Sequence, residues 1–258
     1  MSSESHAPVL EATGICKSYG AVEALRDVAF EARAGEVVAL MGDNGAGKST
    51  LVKVLAGVIA PDTGEMRLGG EPVRVESPSH ARELGIETVY QDLALADDLP
   101  AAHNLFLGRA PVRSGLLGRL GWLDLARMRA DTGSHLAELG VTLKDARADV
   151  KYFSGGQKQS VAIARAAMWA KRVVIMDEPT AALGIVQTKA VLELIRRIRA
   201  TGIAVVVVSH SVPEVMAVAD RIVVMRLGER VATLDPRTAS GDDIVAAITG
   251  AQSLEVPA

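Results

Sequence analysis

The chain lacks most of what would mark an extracellular, membrane-spanning or nucleic-acid-binding protein. One cysteine, Cys16, occurs in 258 residues, so no disulfide framework exists. Its setting, an alternating apolar and polar stretch, reads as a small buried side chain rather than a nucleophile. Positive charge is not in excess: 28 Lys and Arg stand against 31 Asp and Glu, a net charge of -3. Without a broad basic field, nonspecific binding to nucleic acid or to an anionic bilayer is not expected. Long apolar runs are missing too. Segments such as 203–208 and 222–225 fall far short of the roughly 20 residues that span a bilayer. Residues 1–8 lack the basic start and apolar stretch of a secretory signal, so a cytosolic chain is expected, with any membrane role supplied by a partner. His6, His80, His103 and His135 read as surface residues, and no histidine pair has zinc-ligand spacing supported by acids or cysteines.

What is present is an apolar fraction of 49% beside 23% charged residues, the profile of a folded chain with one substantial core. Segments 9–16, 24–32 and 65–68 read as antiparallel strands between glycine-containing turns. Segment 37–41 is a short apolar strand that meets a glycine-rich turn and then a helix over 48–57. The pattern turns helical over 100–106, 123–139 and 156–169, with 113–121 expected as a solvent loop. Strands at 173–176, 204–208 and 222–226 then alternate with helices at 188–199 and 212–219, followed by a hairpin turning near Gly228 and a helical tail at 242–248. Strands alternating with helices indicate an α/β protein whose mostly parallel sheet is covered on both faces. No internal repeat is visible, so one nucleotide site per chain is expected.

Gly42-Asp43-Asn44-Gly45-Ala46-Gly47-Lys48-Ser49 is a phosphate loop in the strand–loop–helix setting that the motif requires. Glycines let successive amide hydrogens point at phosphate oxygens, and the helix amino terminus adds its dipole. Lys48 supplies charge to the β and γ phosphates of ATP. Ser49 supplies a hydroxyl for Mg2+, with Thr50 a second candidate in principle. Asp177 and Glu178 close the apolar strand 173–176, where an open α/β sheet forms its ligand crevice; a surface helix cap is the bland alternative. In the functional reading Asp177 holds Mg2+ and Glu178 polarises the attacking water. Ser154-Gly155-Gly156-Gln157 alone reads either as a helix cap or as an anion nest.

That last tetrad, shortly before Asp177-Glu178-Pro179-Thr180, resembles the signature of ATP-binding cassette (ABC) ATPases, and the whole chain resembles their nucleotide-binding domain. The resemblance implies a P-loop cassette with a mostly parallel RecA-like core, an antiparallel β subdomain and an inserted helical subdomain. One ABC domain is expected over 9–258: core 9–93 plus 165–240, helical lobe 94–164 and tail 241–258. It also implies that two cassettes hold two ATP molecules between them, each reading the other's γ-phosphate through Ser154, Gly155, Gly156 and Gln157. Tyr19, otherwise a turn or core residue, would stack on adenine. Gln91, otherwise a solvent-facing side chain, would touch Mg2+ and the attacking water, and His210 would orient that water at the γ-phosphate. Two positions depart from the family pattern. Phe153 replaces the usual leucine and keeps an apolar anchor. Gly184 replaces an aspartate, so that a cross-seam carboxylate is missing, or a turn there demands glycine.

A narrower resemblance runs through 90–99, Asn104-Leu105-Phe106-Leu107-Gly108-Arg109 and 177–184, which are similar to the ATPases of bacterial monosaccharide importers of the ribose, xylose and fructose group. It implies a carbohydrate-importing ATPase on the cytoplasmic face of the membrane. Its partners would be a second cassette, a membrane permease and, indirectly, a sugar-binding protein, with no nucleic acid. The rival class is a soluble cassette that remodels ribosomes or DNA; the long charged arms, coiled coils or second cassette usual there are not visible.

Overall fold

The alternating residues near the start form two long antiparallel strands, β1 (Pro8–Tyr19) and β2 (Val22–Arg33), which turn over Gly20 and Ala21 and bury Leu10, Ile15, Leu25 and Val28 on one face. The computed structural model describes residues 7–143, 145 and 147–251; His6 and the end of the tail at 252–258 lie outside them. Strands β4 (Thr63–Leu68) and β5 (Glu71–Val73) complete a four-stranded antiparallel sheet in the order β2-β1-β4-β5. The three-residue edge strand β5 is too short for an alternation to be read from sequence.

The second sheet has six strands, β10-β9-β3-β8-β7-β6. Here β3 (Val37–Gly42), β6 (Ile86–Val89), β7 (Val173–Asp177), β8 (Ala204–Val208) and β9 (Arg221–Arg226) run parallel, and β10 (Glu229–Leu234) returns antiparallel to β9 at one edge. Both faces are covered, so β3 and β8 are buried along their full length, as the uninterrupted apolar runs require. The period of two divides the core. Val38, Leu40, Val206 and Val208 face helix α1 (Lys48–Leu55) and the antiparallel sheet, while Val37, Val205 and Val207 pack with helices α6 (Gly155–Trp169) and α7 (Ile185–Ala200). Helices α8 (Val212–Val218) and α9 (Gly241–Thr249) cover Ala39, Met41, Ile222 and Val224.

Helix α2 (Pro78–Glu83) was not expected, although its signals are in the sequence: Ser77 caps it by accepting from the His80 amide, and Pro78 occupies its first turn. Between β6 and α6 lie α3 (Ala101–Leu105), α4 (Gly115–Arg119) and α5 (Leu125–Glu138). The expected solvent loop at 113–121 is thus corrected: it contains a short helix, closed off by a bridge between Val112 and Leu123 that spacing alone does not reveal. Leu105, Phe106, Met128 and Val161 make a small separate core, with Phe106 edge-on to Trp169 at 5.5 Å. Asn104 is fully buried and bonds through its side chain to the Ala96 amide and to the carbonyls of Ala96 and Leu99, fixing the turn that follows β6.

Three histidines expected at the surface are partly buried instead. His135 meets the Ala164 carbonyl at 2.9 Å and His80 accepts from the Glu76 amide, contacts that packing creates and side-chain polarity does not announce. Cys16 is half-buried, and its sulfur accepts from the Asp27 amide at 3.3 Å.

Candidate functional site

At the carboxyl end of β3 the chain turns through residues 42–47 into α1. Two of its glycines are fixed by packing. A Cβ on Gly42 (φ 148) would stand 2.3 Å from the Met225 carbonyl oxygen, and one on Gly47 (φ 100) 2.6 Å from that of Ala24. Helix α1 has no side-chain cap, so the free amides of its first turn remain open to an anion. Lys48 curls over the loop and donates to the carbonyls of Gly42 at 2.8 Å and Asp43 at 2.9 Å. Ala46 is buried and its carbonyl accepts from the Gly228 amide; Asn44, Gly45 and Ser49 are exposed, whereas Thr50 is half-buried, which leaves Ser49 the more accessible hydroxyl.

Strands β7 and β8 bring the acids and His210 to the same edge. Asp177 pairs with Val208, the Glu178 amide donates to the Val208 carbonyl at 3.0 Å, and His210 Nδ1 lies 3.3 Å from Glu178 Oε1. Burial, and then the charge of Glu178, push the Asp177 carboxyl above its ordinary value; Lys48 and Lys53 act against this. Burial lowers the Lys48 pKa while Glu178, Asp43 and Asp177 pull it back up. Glu178 (φ 49) and Ala182 (φ 59) are non-glycine residues in the left-handed region, each a strain of roughly 1 kcal/mol that a bland turn would shed.

The residues present fit a nucleoside triphosphate with a divalent cation. An uncapped helix start, a partly desolvated lysine and an accessible hydroxyl face a carboxyl pair whose mutual repulsion a cation would relieve. Among the described residues no cluster of three His, Cys, Asp or Glu could hold an ion alone.

Ser154 caps α6 in a capping box: its Oγ accepts from the Gln157 amide at 3.3 Å, and the Gln157 side-chain oxygen accepts from the Ser154 amide at 3.0 Å. Gly155 is open to space, whereas a Cβ on Gly156 would press on Gln187 of α7 at 2.5 Å. Ser154, Gly156 and Gln157 line a recess of about 420 Å³ with Val186, Gln187 and Arg197, and no residue of 42–50 lines it. Among the described residues no hydrogen bond or ion pair joins 154–157 to Lys48, Asp177 or Glu178. The structure therefore does not bring the two phosphate-reading motifs together within one chain.

Tyr19 ends β1 with half of its surface exposed and Lys17 near its ring at 6.0 Å. Gln91 follows β6, exposed and without a hydrogen-bond partner among the described residues. Phe153 packs with the small helical core, as an apolar anchor should. Gly184 has φ -75 and ψ 167, an ordinary extended conformation, so the turn does not demand glycine. Sequence reasoning missed Arg165, which donates to the carbonyls of Leu93 and Ala94 just beyond Gln91, and Glu87, whose Oε1 lies 2.7 Å from the Arg109 guanidinium. Both line a groove of about 260 Å³ between β6 and α6, and isolated charges 78 positions apart give no sequence signal for it. Thr180, also missed, donates to the Glu214 carboxylate and ties the turn after Glu178 to α8.

Fold and site together define a phosphate-loop protein whose nucleotide edge is the carboxyl end of a parallel sheet. Residues 25–181 match the family model described as ABC transporter. The chain is 47% identical over 249 residues to the fructose import ATP-binding protein FrcA of Rhizobium meliloti, covering 95% of each. It is 43% identical over 221 residues to the xylose/arabinose import ATP-binding protein XylG of Sulfolobus acidocaldarius, covering 86% of each. A ribose import ATP-binding protein, RbsA 2 of Rubrobacter xylanophilus, is 43% identical over 243 residues, but the chain spans only 46% of that relative's length. In fold it is similar to the crystal structure of the ADP conformation of an ATP-binding cassette of an ABC transporter, with TM-score 0.79, 23% identity, and 94% and 95% of the two chains covered. The chain belongs to the ABC transporter family. It is an ATP-binding cassette and, as such, an ATPase.

Proposed function

We propose that this chain is the ATP-hydrolysing subunit of an importer for a monosaccharide, and that it works as a pair of cassettes with one ATP between each phosphate loop and the other copy's residues 154–157. The observation that carries the pairing is the separation just described: two anion-reading motifs, each well formed, that do not meet within one chain. The relatives named for fructose, xylose/arabinose and ribose import support the cargo class.

In this reading Lys48 leaves its two loop carbonyls to bind the β and γ phosphates, and the amides of 45–49 hold the phosphate oxygens. Tyr19 stacks on adenine. Ser49, Gln91 and Asp177 would hold Mg2+, which when bound withdraws charge from the phosphates. Glu178 accepts the proton of the attacking water, and His210, already beside Glu178, keeps its carboxylate turned to the reacting edge. Ser154, Gly155, Gly156 and Gln157 present the start of α6 to the γ-phosphate of the other copy, where charge develops. Closure of the pair thereby completes the site.

Residues 94–164 act as a helical lobe on the core, and the groove holding Glu87 and Arg109 receives a cytoplasmic segment of the permease, which places the chain at the cytoplasmic face of the membrane. A sugar-binding protein feeds the permease from the far side. The reading is tested by phosphate release and sugar uptake in vesicles with the co-expressed permease: stimulation of ATP turnover by permease and binding protein is expected, and equal turnover with and without them would overturn the importer assignment.

A further inference from the structure

Helices α3 and α5 leave a recess of about 420 Å³ between them, lined by Pro100, His103, Arg129, Thr132, Leu136 and Arg147. It is separate from the phosphate loop, from the recess at residues 154–157 and from the groove at Glu87. Thr132 is only 3% exposed, yet its Oγ1 is buried and has no hydrogen-bond partner. A helical threonine ordinarily satisfies its hydroxyl on the carbonyl one turn back, so this one carries its full desolvation penalty. His103 Nδ1 is buried and unpartnered in the same way. Among the described residues only four buried side-chain nitrogen or oxygen atoms lack a well-directed partner, and two of them belong to this one lining.

The charged side chains that line it are of one sign, although Asp145, which is not a lining residue, accepts from the Arg147 amide at 2.8 Å. Arg129 and Arg147 are exposed, and among the described residues neither has a carboxylate at ion-pair distance, although Arg127, on the same helix as Arg129, pairs with Asp131. Among the described residues no Asp or Glu lines the recess. Two guanidinium groups, a hydroxyl and an imidazole that can all donate suit an acceptor-only group with several oxygens, and phosphate fits this better than a single carboxylate. The volume lies in the range of small-molecule sites, well beyond bare phosphate, and Pro100, Ala102 and Leu136 offer an apolar floor for the remainder of a ligand.

We propose that this recess binds a small phosphate-bearing metabolite, with Arg129 and Arg147 on the phosphate, and with the Thr132 hydroxyl and the His103 ring, whose unpartnered atoms are buried in the free protein, turning outward to complete its hydrogen bonds. The ligand would sit where the segment beyond Gln91 meets the segment before Ser154, because Pro100 bridges Asp149 and the Val150 amide donates to the Leu99 carbonyl. Any effect on ATP turnover rests on the function proposed above; the binding itself does not.

The test is a titration of the full chain in a Lys48→Ala background, which weakens phosphate binding at the loop, following the His103 imidazole resonances. The probes are a hexose 6-phosphate, the unphosphorylated hexose and inorganic phosphate. A saturable shift with the hexose phosphate is expected, weaker with inorganic phosphate and absent with the hexose. Arg129→Ala and Arg147→Ala should each weaken binding about tenfold, and Thr132→Val about fivefold. Because the Thr132 hydroxyl has no partner among the described residues, Thr132→Val should leave the Tm of the free protein unchanged or raise it. The proposal is overturned by the absence of a saturable shift up to about 10 mM of either phosphate. It is equally overturned by a shift that survives in the double arginine variant, by equal shifts from hexose and hexose phosphate, by inorganic phosphate binding as tightly as the ester, or by a Tm lowered in Thr132→Val.

Discussion

Around Lys48, Asp177 and Glu178, charge is crowded, partly buried and short of partners. Among the described residues Lys48 donates to loop carbonyls alone, Asp177 is burdened by burial and by its neighbour, and Glu178 sits on a strained backbone. Around Ser154 and Gln157 the opposite holds: each side chain is spent on the other's amide in a closed capping box. The first region is built to change when a ligand arrives, and the second to present a fixed edge. In the proposed reading the reaction needs both, and a chain that keeps them apart then works as one of two.

Breaking the crowded region should have the largest effect. Lys48→Ala removes the ammonium that the proposed reading sets against the β and γ phosphates and should cut ATP turnover by roughly a thousandfold. Phosphate release with and without the permease reads this, and an unimpaired rate would contradict the site. Asp177→Asn separates function from stability. A carboxyl raised above its ordinary 3.8 in the folded state binds its proton more tightly there than in the unfolded chain, so its cost to stability is absent below pH 3.8 and develops as pH rises through the elevated value. The free protein should therefore melt higher as Asp177→Asn at pH 7 and equally at the acid end, while turnover falls about a hundredfold. Thermal melts across pH check the sign.

The satisfied region should answer through stability. Gln157→Ala breaks one half of the capping box and should cost about 0.5–1 kcal/mol in denaturant unfolding, with turnover by the pair also reduced. Smallest of all is Gly184→Asp. The backbone there is ordinary, the added Cβ meets only the movable end of Gln187 at 2.8 Å, and Gly184 caps α7 without a side-chain bond. Aspartate supplies that cap, so a gain of a few tenths of a kcal/mol is expected in the same assay. A loss above about 1 kcal/mol would show that Gln187 cannot yield.

What was legible in the sequence followed this same division. The phosphate loop and the strand-end acids were readable because buried parallel strands announce themselves as apolar runs, and residues 204–208 form a strand with the expected bounds. The convergence of Glu178 and His210 follows from the adjacency of β7 and β8. Short elements such as α4 and β5 were not readable, since fewer than two turns or a single strand edge carry no period, and α2 had only its Ser77 cap and Pro78 to mark it. Nor were the contacts of His135 and Arg165, each made with a neighbour far along the chain.

The claim that one site is assembled from two chains is tested most directly by light scattering after size exclusion of Glu178→Gln. Glutamine keeps the shape of the side chain but cannot take the proton of water, so ATP should bind, persist and act as a ligand of the interface. A dimer in ATP, but not in ADP or without nucleotide, and lost when Ser154 is also changed to arginine, is the predicted result. A dimer that forms equally in ATP with Ser154→Arg, or a monomer in ATP even when the permease holds two copies together, would contradict it.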